Sequence, residues 1–155
     1  MADEETQPAD IRLATADDAE SILRMMEVFN THEEIVHTRD GLTRSYALLI
    51  ANPAWGAIFF AEVGGVPAGY SVLSYGFDFE FGGRDAFMCE LFVAERQRNR
   101  GIGKALIAAV EAHARANGVM TMHLIVRREN ASAQILYRRD GYQFDPRILM
   151  NKPLI

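Results

Sequence analysis

A short run of basic residues and glycines, RNRGIGK at residues 98–104, has the composition of a loop that binds phosphate groups. It follows an apolar segment typical of a strand and precedes a segment with helical periodicity, so its glycines fall where a helix begins. The first N–H groups of a helix lack intrahelical partners and carry partial positive charge, and glycine lets a bulky anion approach them. The segment therefore predicts a phosphate-binding site, with an ordinary basic loop as the alternative.

The spacing within this loop excludes two common nucleotide-binding motifs. A P-loop has four residues between its glycines and ends in Gly-Lys-Ser/Thr, whereas Ile102 alone separates Gly101 from Gly103. In the pattern G-x-G-x-x-G a third glycine would stand where this sequence has Leu106. The predicted ligand is therefore a phosphorylated molecule, bound by a loop that matches neither of those two motifs.

The elements that would position this loop follow from hydrophobic periodicity and from turn residues. Strands are predicted at residues 11–13, 57–63, 68–74, 87–93 and 120–126, with a final strand or hairpin at 142–154, and helices at 15–29, 42–51, 101–117 and 131–140. Gly64-Gly65 predicts a hairpin, and residues 77–85 are predicted to form a turn. The order βααβββαβαβ predicts an α/β protein with a mixed sheet flanked by helices.

Length and composition predict one globular domain. The chain has 155 residues, 49% of them hydrophobic and 24% charged, and a chain of this size needs no disulfide or structural metal to hold a core. Residues 1–10 are polar and are predicted to form a mobile tail, with the domain at 11–155. The net charge of -5 argues against nucleic-acid partners. No signal peptide, membrane span or metal-ligand cluster is recognisable, so we expect a cytoplasmic protein with no membrane partner and no metal.

Several ordered motifs resemble those of the GNAT family of N-acetyltransferases. They are, in chain order, ELFV (90–93), Arg98-x-x-Gly101-x-Gly103, NASAQILY (130–137) and RRDGY (138–142). The second matches the family pattern R/Q-x-x-G-x-G/A. The resemblance covers residues 11–154 and implies a GNAT-type acyl-CoA N-acyltransferase fold, with acetyl-CoA as co-substrate and direct transfer of acetyl to an amine. It is also compatible with a homodimer.

The same resemblance assigns contacts with CoA to three parts of the chain. The pyrophosphate would lie against the glycine-rich loop, the pantetheine would add to the preceding strand through backbone groups, and the downstream helix would contribute side chains. The residues concerned are Leu91, Phe92, Val93, Arg98, Asn99, Arg100, Gly101, Ile102, Gly103, Lys104, Asn130, Ala133 and Tyr137. Asn130 is also predicted to cap the helix that follows it.

Acetyl transfer to an amine requires that protons move at both ends of the reaction. An alkyl ammonium, with a pKa of about 10.4, must lose a proton, and Glu90, a charged residue in an apolar strand, is the predicted base. A glutamate paired with an arginine, or placed where strands splay, is the alternative. The resemblance implies that Tyr137 protonates the departing thiolate, the alternative being a tyrosine whose hydroxyl bonds to backbone. Cys89 is predicted to be a small buried hydrophobic residue and not a nucleophile.

Within the family, the sequence is most similar to the diamine and thialysine acetyltransferases, notably in IRLATADDAESILR (11–24) and MHLIV (122–126). The Glu-Asp pair in the fourth strand of those enzymes reads Cys89-Glu90 here. His32 and Glu33 are predicted to line an acceptor site, together with Glu90. We therefore expect the acceptor to be a small primary amine, either a polyamine or a lysine-like amino acid. A protein or peptide N-acetyltransferase and a non-catalytic acyl-CoA sensor are the open alternatives.

Overall fold

The computed structural model describes residues 7–155, so the first six residues of the predicted tail lie outside the described residues. The chain divides into two units, the first ending at Ile125 and the second spanning Val126–Ile155. The strands are β1 (Asp10–Leu13), β2 (Gly56–Val63), β3 (Val66–Asp78), β4 (Gly83–Val93) and β5 (Thr121–Leu124). The helices are α1 (Ala19–His32), α2 (Arg39–Ala51), α3 (Ile102–Ala116) and, in the second unit, α4 (Ala131–Arg139).

The five strands form one mixed sheet in the order β1-β2-β3-β4-β5, which confirms the predicted α/β class. The first four are antiparallel to their neighbours, and β5 runs parallel to β4. The predicted hairpin between β2 and β3 is present. Gly64 and Gly65 both have positive φ, at 58° and 77°, as a two-residue turn that matches the strand twist requires.

The turn predicted at residues 77–85 is shorter than expected. β3 continues to Asp78 and β4 begins at Gly83, and Phe77 pairs with Arg84 across the hairpin. The glycines and acidic residues of this segment predicted a turn from composition. Strand pairing extends the hairpin, since Asp78 pairs with Gly83 and the turn is confined to residues 79–82.

Helices cover both faces of the sheet. The buried residues between α1, α2 and the sheet include Ile22, Met26, Tyr46, Tyr70 and Phe92. The buried residues between α3 and the sheet include Leu73, Ala86, Ile102, Leu106 and Val110. The helix α2 begins three residues earlier than predicted, because the Thr38 side chain accepts a hydrogen bond from the Gly41 N–H at 3.1 Å and caps it.

Two predictions at the end of the chain are wrong. A strand was predicted over residues 120–126, but β5 spans only four residues and is half-buried. Residues 142–155 form neither helix nor strand, so the last element of the predicted order is missing. Pro146 and Pro153 have no N–H to donate to a sheet, and the Asp145 side chain accepts from the backbone N–H of Arg147 at 2.8 Å.

Candidate active site

The glycine-rich loop lies between the end of β4 and the beginning of α3. A short helical turn, Glu95–Gln97, leads into it, and the Arg98 side chain donates from Nε to the carbonyl oxygen of Val93 at 3.1 Å. Gly101 precedes the helix in the left-handed conformation, with φ of 77°. Because a glycine has no side chain that could cap the helix, the first amides of α3 are open to an external acceptor.

The basic side chains of this loop are accessible to solvent. Arg98, Arg100 and Lys104 are exposed, and Arg100 donates to the Gln97 side-chain oxygen at 2.7 Å. Ile102 is only 4% exposed and packs into the core beneath α3. Its side chain therefore anchors the helix end, and the contribution it offers to a ligand is its backbone N–H.

The strand β4 extends beyond its parallel partner. Its pairs with β5 run from Asp85 with Thr121 to Met88 with Leu124, whereas β4 itself continues to Val93. The side chains of Leu91, Phe92 and Val93 pack against the two cores. Since those side chains are engaged, the backbone on the β5 side is the part of this stretch that can add an extended ligand.

A pocket of about 230 Å³ opens where the β4–β5 pairing ends. Its lining is Ser74, Phe87, Met88, Cys89 and Ile125. Cys89 is exposed, with its Sγ 3.2 Å from the Ser74 hydroxyl, so the prediction of a buried cysteine is wrong. Cys89 lies two residues after the exposed Phe87, on the same face of β4, and it is also the site of a β-bulge. Leu73 pairs with Met88 and Val72 with Glu90, which leaves Cys89 as the extra residue of β4.

The bulge decides which face of the sheet Glu90 occupies. Ala86 belongs to the core under α3, and strict alternation would place Glu90 on that same face. The extra residue reverses the alternation, so Phe92 belongs to the core under α1 and α2, and Glu90 contacts Tyr70 of that same core. The Tyr70 hydroxyl donates to Oε2 of Glu90 at 2.6 Å.

Burial shapes the proton affinity of this pair. It raises the pKa of Glu90 above its ordinary value, and the hydrogen bond from Tyr70 opposes that increase. Burial and the neighbouring carboxylate raise the pKa of Tyr70 far above its ordinary value, so the phenol stays a donor. The partner of Glu90 is thus a tyrosine and not the arginine of the alternative interpretation.

The second unit holds the remaining predicted CoA contacts. Asn130 caps α4 as predicted, since its side-chain oxygen accepts from the Ala133 N–H at 3.1 Å. Tyr137 is half-buried on α4, and its ring lies edge-on to that of Tyr142, with 5.9 Å between the centroids. Gly141 follows the helix with φ of 94°, and the Tyr142 N–H donates to the Tyr137 carbonyl at 3.0 Å.

Two histidines, His113 and His123, make contacts within the core layers of the fold. His113 lies edge-on to Phe59, with 5.3 Å between the ring centroids. His123 Nε2 lies 3.3 Å from Asp85 Oδ2. Within residues 7–155, no group of three or more histidine, cysteine or acidic residues is placed to hold a metal ion.

His32 and Glu33, the residues predicted to line the acceptor site, end α1. Their side chains approach each other at 3.3 Å, between Nδ1 and Oε1. In the described part of the chain, no helix combines the length and apolar character needed to cross a membrane.

Sequence reasoning missed Tyr70, which the fold brings to Glu90. The two residues are 20 positions apart, and neither the strand pattern nor a local motif predicts their contact. A glutamate in an apolar strand was the available signal, since it implies a polar partner in the core. The partner's identity depends on the register of β3 against β4 and on the bulge.

Comparison with known proteins relates the chain to acetyltransferases. The family model described as Acetyltransferase (GNAT) family matches residues 22–142. The chain is 29% identical over 137 residues to the uncharacterized N-acetyltransferase YhfO of Bacillus subtilis (strain 168), covering 87% of this chain and 90% of that protein.

Solved structures share the fold. An integron cassette protein from the mobile metagenome of Cole Harbour Salt Marsh has a TM-score of 0.83 and 26% identity, with 94% of this chain and 90% of that one covered. The aminoglycoside N-acetyltransferase AAC(6')-Iy, solved with CoA, has a TM-score of 0.85 and 22% identity, with 99% and 100% covered.

Proposed function

This chain belongs to the GNAT family of acetyltransferases and is an acetyl-CoA-dependent N-acetyltransferase, and we propose that its acceptor is a primary amine of a small molecule. A polyamine or a lysine-like amino acid is the acceptor class that we expect. The observation that carries the proposal is the half-buried carboxylate of Glu90, which follows the bulge where β4 leaves its pairing with β5. A base at that point serves an amine that arrives as an ammonium ion.

The glycine-rich loop and the free stretch of β4 would together hold CoA. The first backbone amides of α3, next to Gly101 and Gly103, would donate hydrogen bonds to the pyrophosphate. Positive charge would come from three exposed side chains, those of Arg98, Arg100 and Lys104. The backbone of β4 beyond Met88 supplies hydrogen bonds for the pantetheine. Acetyl-CoA supplies the activated acetyl group, and side chains of the protein carry out the proton transfers.

Two proton transfers complete the proposed reaction. Glu90 takes a proton from the acceptor ammonium, directly or through a water molecule, and the freed lone pair forms the N–C bond at the thioester carbonyl. As the C–S bond breaks, Tyr137 gives its phenolic proton to the thiolate. The proton that the new amide nitrogen sheds restores the tyrosine, and Glu90 releases its proton to solvent, so each turnover frees one proton.

A small amine is favoured as the acceptor for two reasons. His32 and Glu33 end α1, the helix that packs on the same face of the sheet as Tyr70, and a carboxylate there suits a cation. A further solved structure of AAC(6')-Iy, with a TM-score of 0.83, holds a bisubstrate analogue of CoA and acetylneamine. The fold thus accommodates aminated small molecules in at least one relative.

Release of free CoA thiol, measured with a panel of amines, tests the proposal. The panel holds polyamines, diamines, lysine, an aminoglycoside and a lysine-containing peptide. At least one small amine is expected to be turned over. Turnover of the peptide alone would identify a peptide acetyltransferase, and CoA binding without turnover of any amine would indicate a sensor.

The role of Glu90 is tested by Glu90→Gln. Loss of a general base typically lowers the rate by about 10²-fold or more, with the steepest loss at low pH. Glu111→Gln is the matched control, because Glu111 is also a largely buried glutamate with one hydrogen-bond partner, Arg115. Full activity of Glu90→Gln across the pH range would assign the base elsewhere.

A further inference from the structure

Resting on the proposed function, we propose that Tyr70 is a positioning residue. It holds Oε2 of Glu90 and so leaves Oε1 as the oxygen that accepts the proton from the amine. The bond between the Tyr70 hydroxyl and Oε2 is 2.6 Å long. A carboxylate oxygen that accepts so short a hydrogen bond is a poorer proton acceptor than the other oxygen of the same carboxylate.

The Tyr70 side chain is fixed in place by its surroundings. It is completely buried, and its ring packs against that of Phe92 with 5.8 Å between the centroids. Ile22, Met25 and Met26 of α1 belong to the same cluster. A hydroxyl at the end of such a ring has little freedom, so it can define the position of the group that accepts from it.

The neighbouring residue of β3 holds the main chain of Glu90 from the other side of the sheet. The Ser71 hydroxyl donates to the Glu90 carbonyl oxygen at 2.8 Å, and Ser71 is completely buried. Successive residues of a strand point to opposite faces. Tyr70 therefore hydrogen-bonds to the side chain of Glu90 and Ser71 to its backbone, directly after the bulge at Cys89.

The hydrogen bond also keeps the carboxylate ready to act as a base. Burial alone would favour the protonated acid, and the bond from Tyr70 favours the ionised form. Of the charged side chains at these helices, Glu20 and Glu27 of α1 pair with Arg39 of α2, and Glu33 lies 3.3 Å from His32. The Tyr70 phenol donates directly to the carboxylate, so its removal should change the proton affinity of Glu90.

The test compares Tyr70→Phe with Tyr46→Phe. Tyr46 is also buried in the same cluster and donates a 2.6 Å hydrogen bond, but to the backbone oxygen of Thr15. In Tyr70→Phe we expect kcat with the best amine of the panel to fall about tenfold at neutral pH, with KM changed less than about twofold. The acidic limb of the kcat profile should move up by about one pH unit, whereas Tyr46→Phe should leave it in place.

A direct titration separates this proposal from the proposed function. In protein labelled with ¹³C-glutamate, the Glu90 carboxyl signal, assigned by its loss in Glu90→Gln, should titrate at higher pH in Tyr70→Phe than in the parent. An unchanged titration overturns the proposal whatever the enzyme does. If no amine is acetylated, the proposed function fails by itself, and the titration still decides whether Tyr70 controls Glu90.

Two further variants distinguish an effect of Tyr70 on the Glu90 carboxylate from an effect on packing alone. In the Glu90→Gln background, Tyr70→Phe should cause no additional loss of kcat, and a full additional loss overturns the proposal. Incorporation of 3-fluorotyrosine at position 70 preserves the packing and makes the phenol a stronger donor. The acidic limb should then move to lower pH, and a shift to higher pH would contradict the assigned role.

Discussion

Arg98 donates from Nε to the carbonyl oxygen of Val93 at 3.1 Å, which ties the glycine-rich loop to the last residue of β4. The two proposed contact regions for CoA are therefore joined by a side chain of the motif itself. This hydrogen bond helps to hold the end of β4 next to the loop that precedes α3. A ligand that contacts both meets a preorganised surface, which reduces the entropy lost on binding.

Arg98→Lys should weaken CoA binding about tenfold in isothermal titration calorimetry, because lysine lacks the planar fork that can bond to backbone and phosphate together. Arg96→Lys is the control, since Arg96 is an exposed arginine of the turn Glu95–Gln97, outside the motif. It should change the affinity less than about twofold. Equal losses in both variants would show that the effect is not specific to position 98.

Gly101→Ala should lower both stability and CoA affinity. The left-handed φ of 77° costs an alanine roughly 1–2 kcal/mol, measurable by urea unfolding. Gly118→Ala is the matched control. Gly118 has φ of 75°, and a Cβ added at either glycine meets no atom within 4 Å. Both variants should lose similar stability, but affinity should fall only in Gly101→Ala, and equal affinity would place the phosphate elsewhere.

Tyr137→Phe should lower kcat more than it weakens CoA binding, because the phenol is proposed to act only when the thiolate leaves. The control is Tyr142→Phe, a half-buried tyrosine of the same unit whose ring packs against that of Tyr137. Stopped-flow rates and calorimetry separate the two parameters. An unchanged kcat in Tyr137→Phe would remove this residue as the acid.

Features that depend on local chemistry were predictable from the sequence. Gly64-Gly65 forms the hairpin because both positions need positive φ, and Asn130 caps α4 because its side chain reaches the Ala133 amide three residues on. The glycines at 98–104 correctly predicted where α3 begins, because Gly101 adopts the left-handed conformation that precedes the helix. Each of these depends on residues within a few positions of one another.

Features that depend on pairing between distant segments were not predictable. Glu90 meets Tyr70 because one extra residue, the exposed Cys89, reverses the alternation of β4, and nothing in the sequence FMCELFV marks that residue. The final segment, 142–154, has apolar residues typical of a strand but no strand partner among the described residues. A strand exists only when its backbone groups are paired, which a single segment cannot reveal.

The Arg12–Asp18 ion pair should give the protein a measurable acid sensitivity. The guanidinium donates to both carboxylate oxygens at 2.8 Å, and the Thr15 N–H donates to Oδ2 at 2.7 Å. The hydrogen bonds from Arg12, followed by those from Thr15, lower the pKa of Asp18 from 3.8 to about 2. Because the folded pKa lies below the unfolded value, the stabilisation is fully present above about pH 4 and is lost as the pH falls through about 2.

Asp18→Asn should therefore destabilise the protein by about 1 kcal/mol at pH 7. This is less than the free energy that corresponds to the full pKa shift of Asp18, because the Arg12 side chain is 40% exposed and water screens the ion pair. Asp17→Asn is the control, since Asp17 is an exposed neighbour and should cost less than about 0.5 kcal/mol. Urea unfolding at pH 7, 4 and 3 measures both variants against the parent. The Asp18→Asn difference should shrink between pH 4 and pH 3, because Asp18 of the unfolded parent, with a pKa of 3.8, becomes protonated over that range while the folded carboxylate, with a pKa of about 2, stays ionised. A difference that stays constant over that range would mean that packing, and not the charge of Asp18, carries the effect.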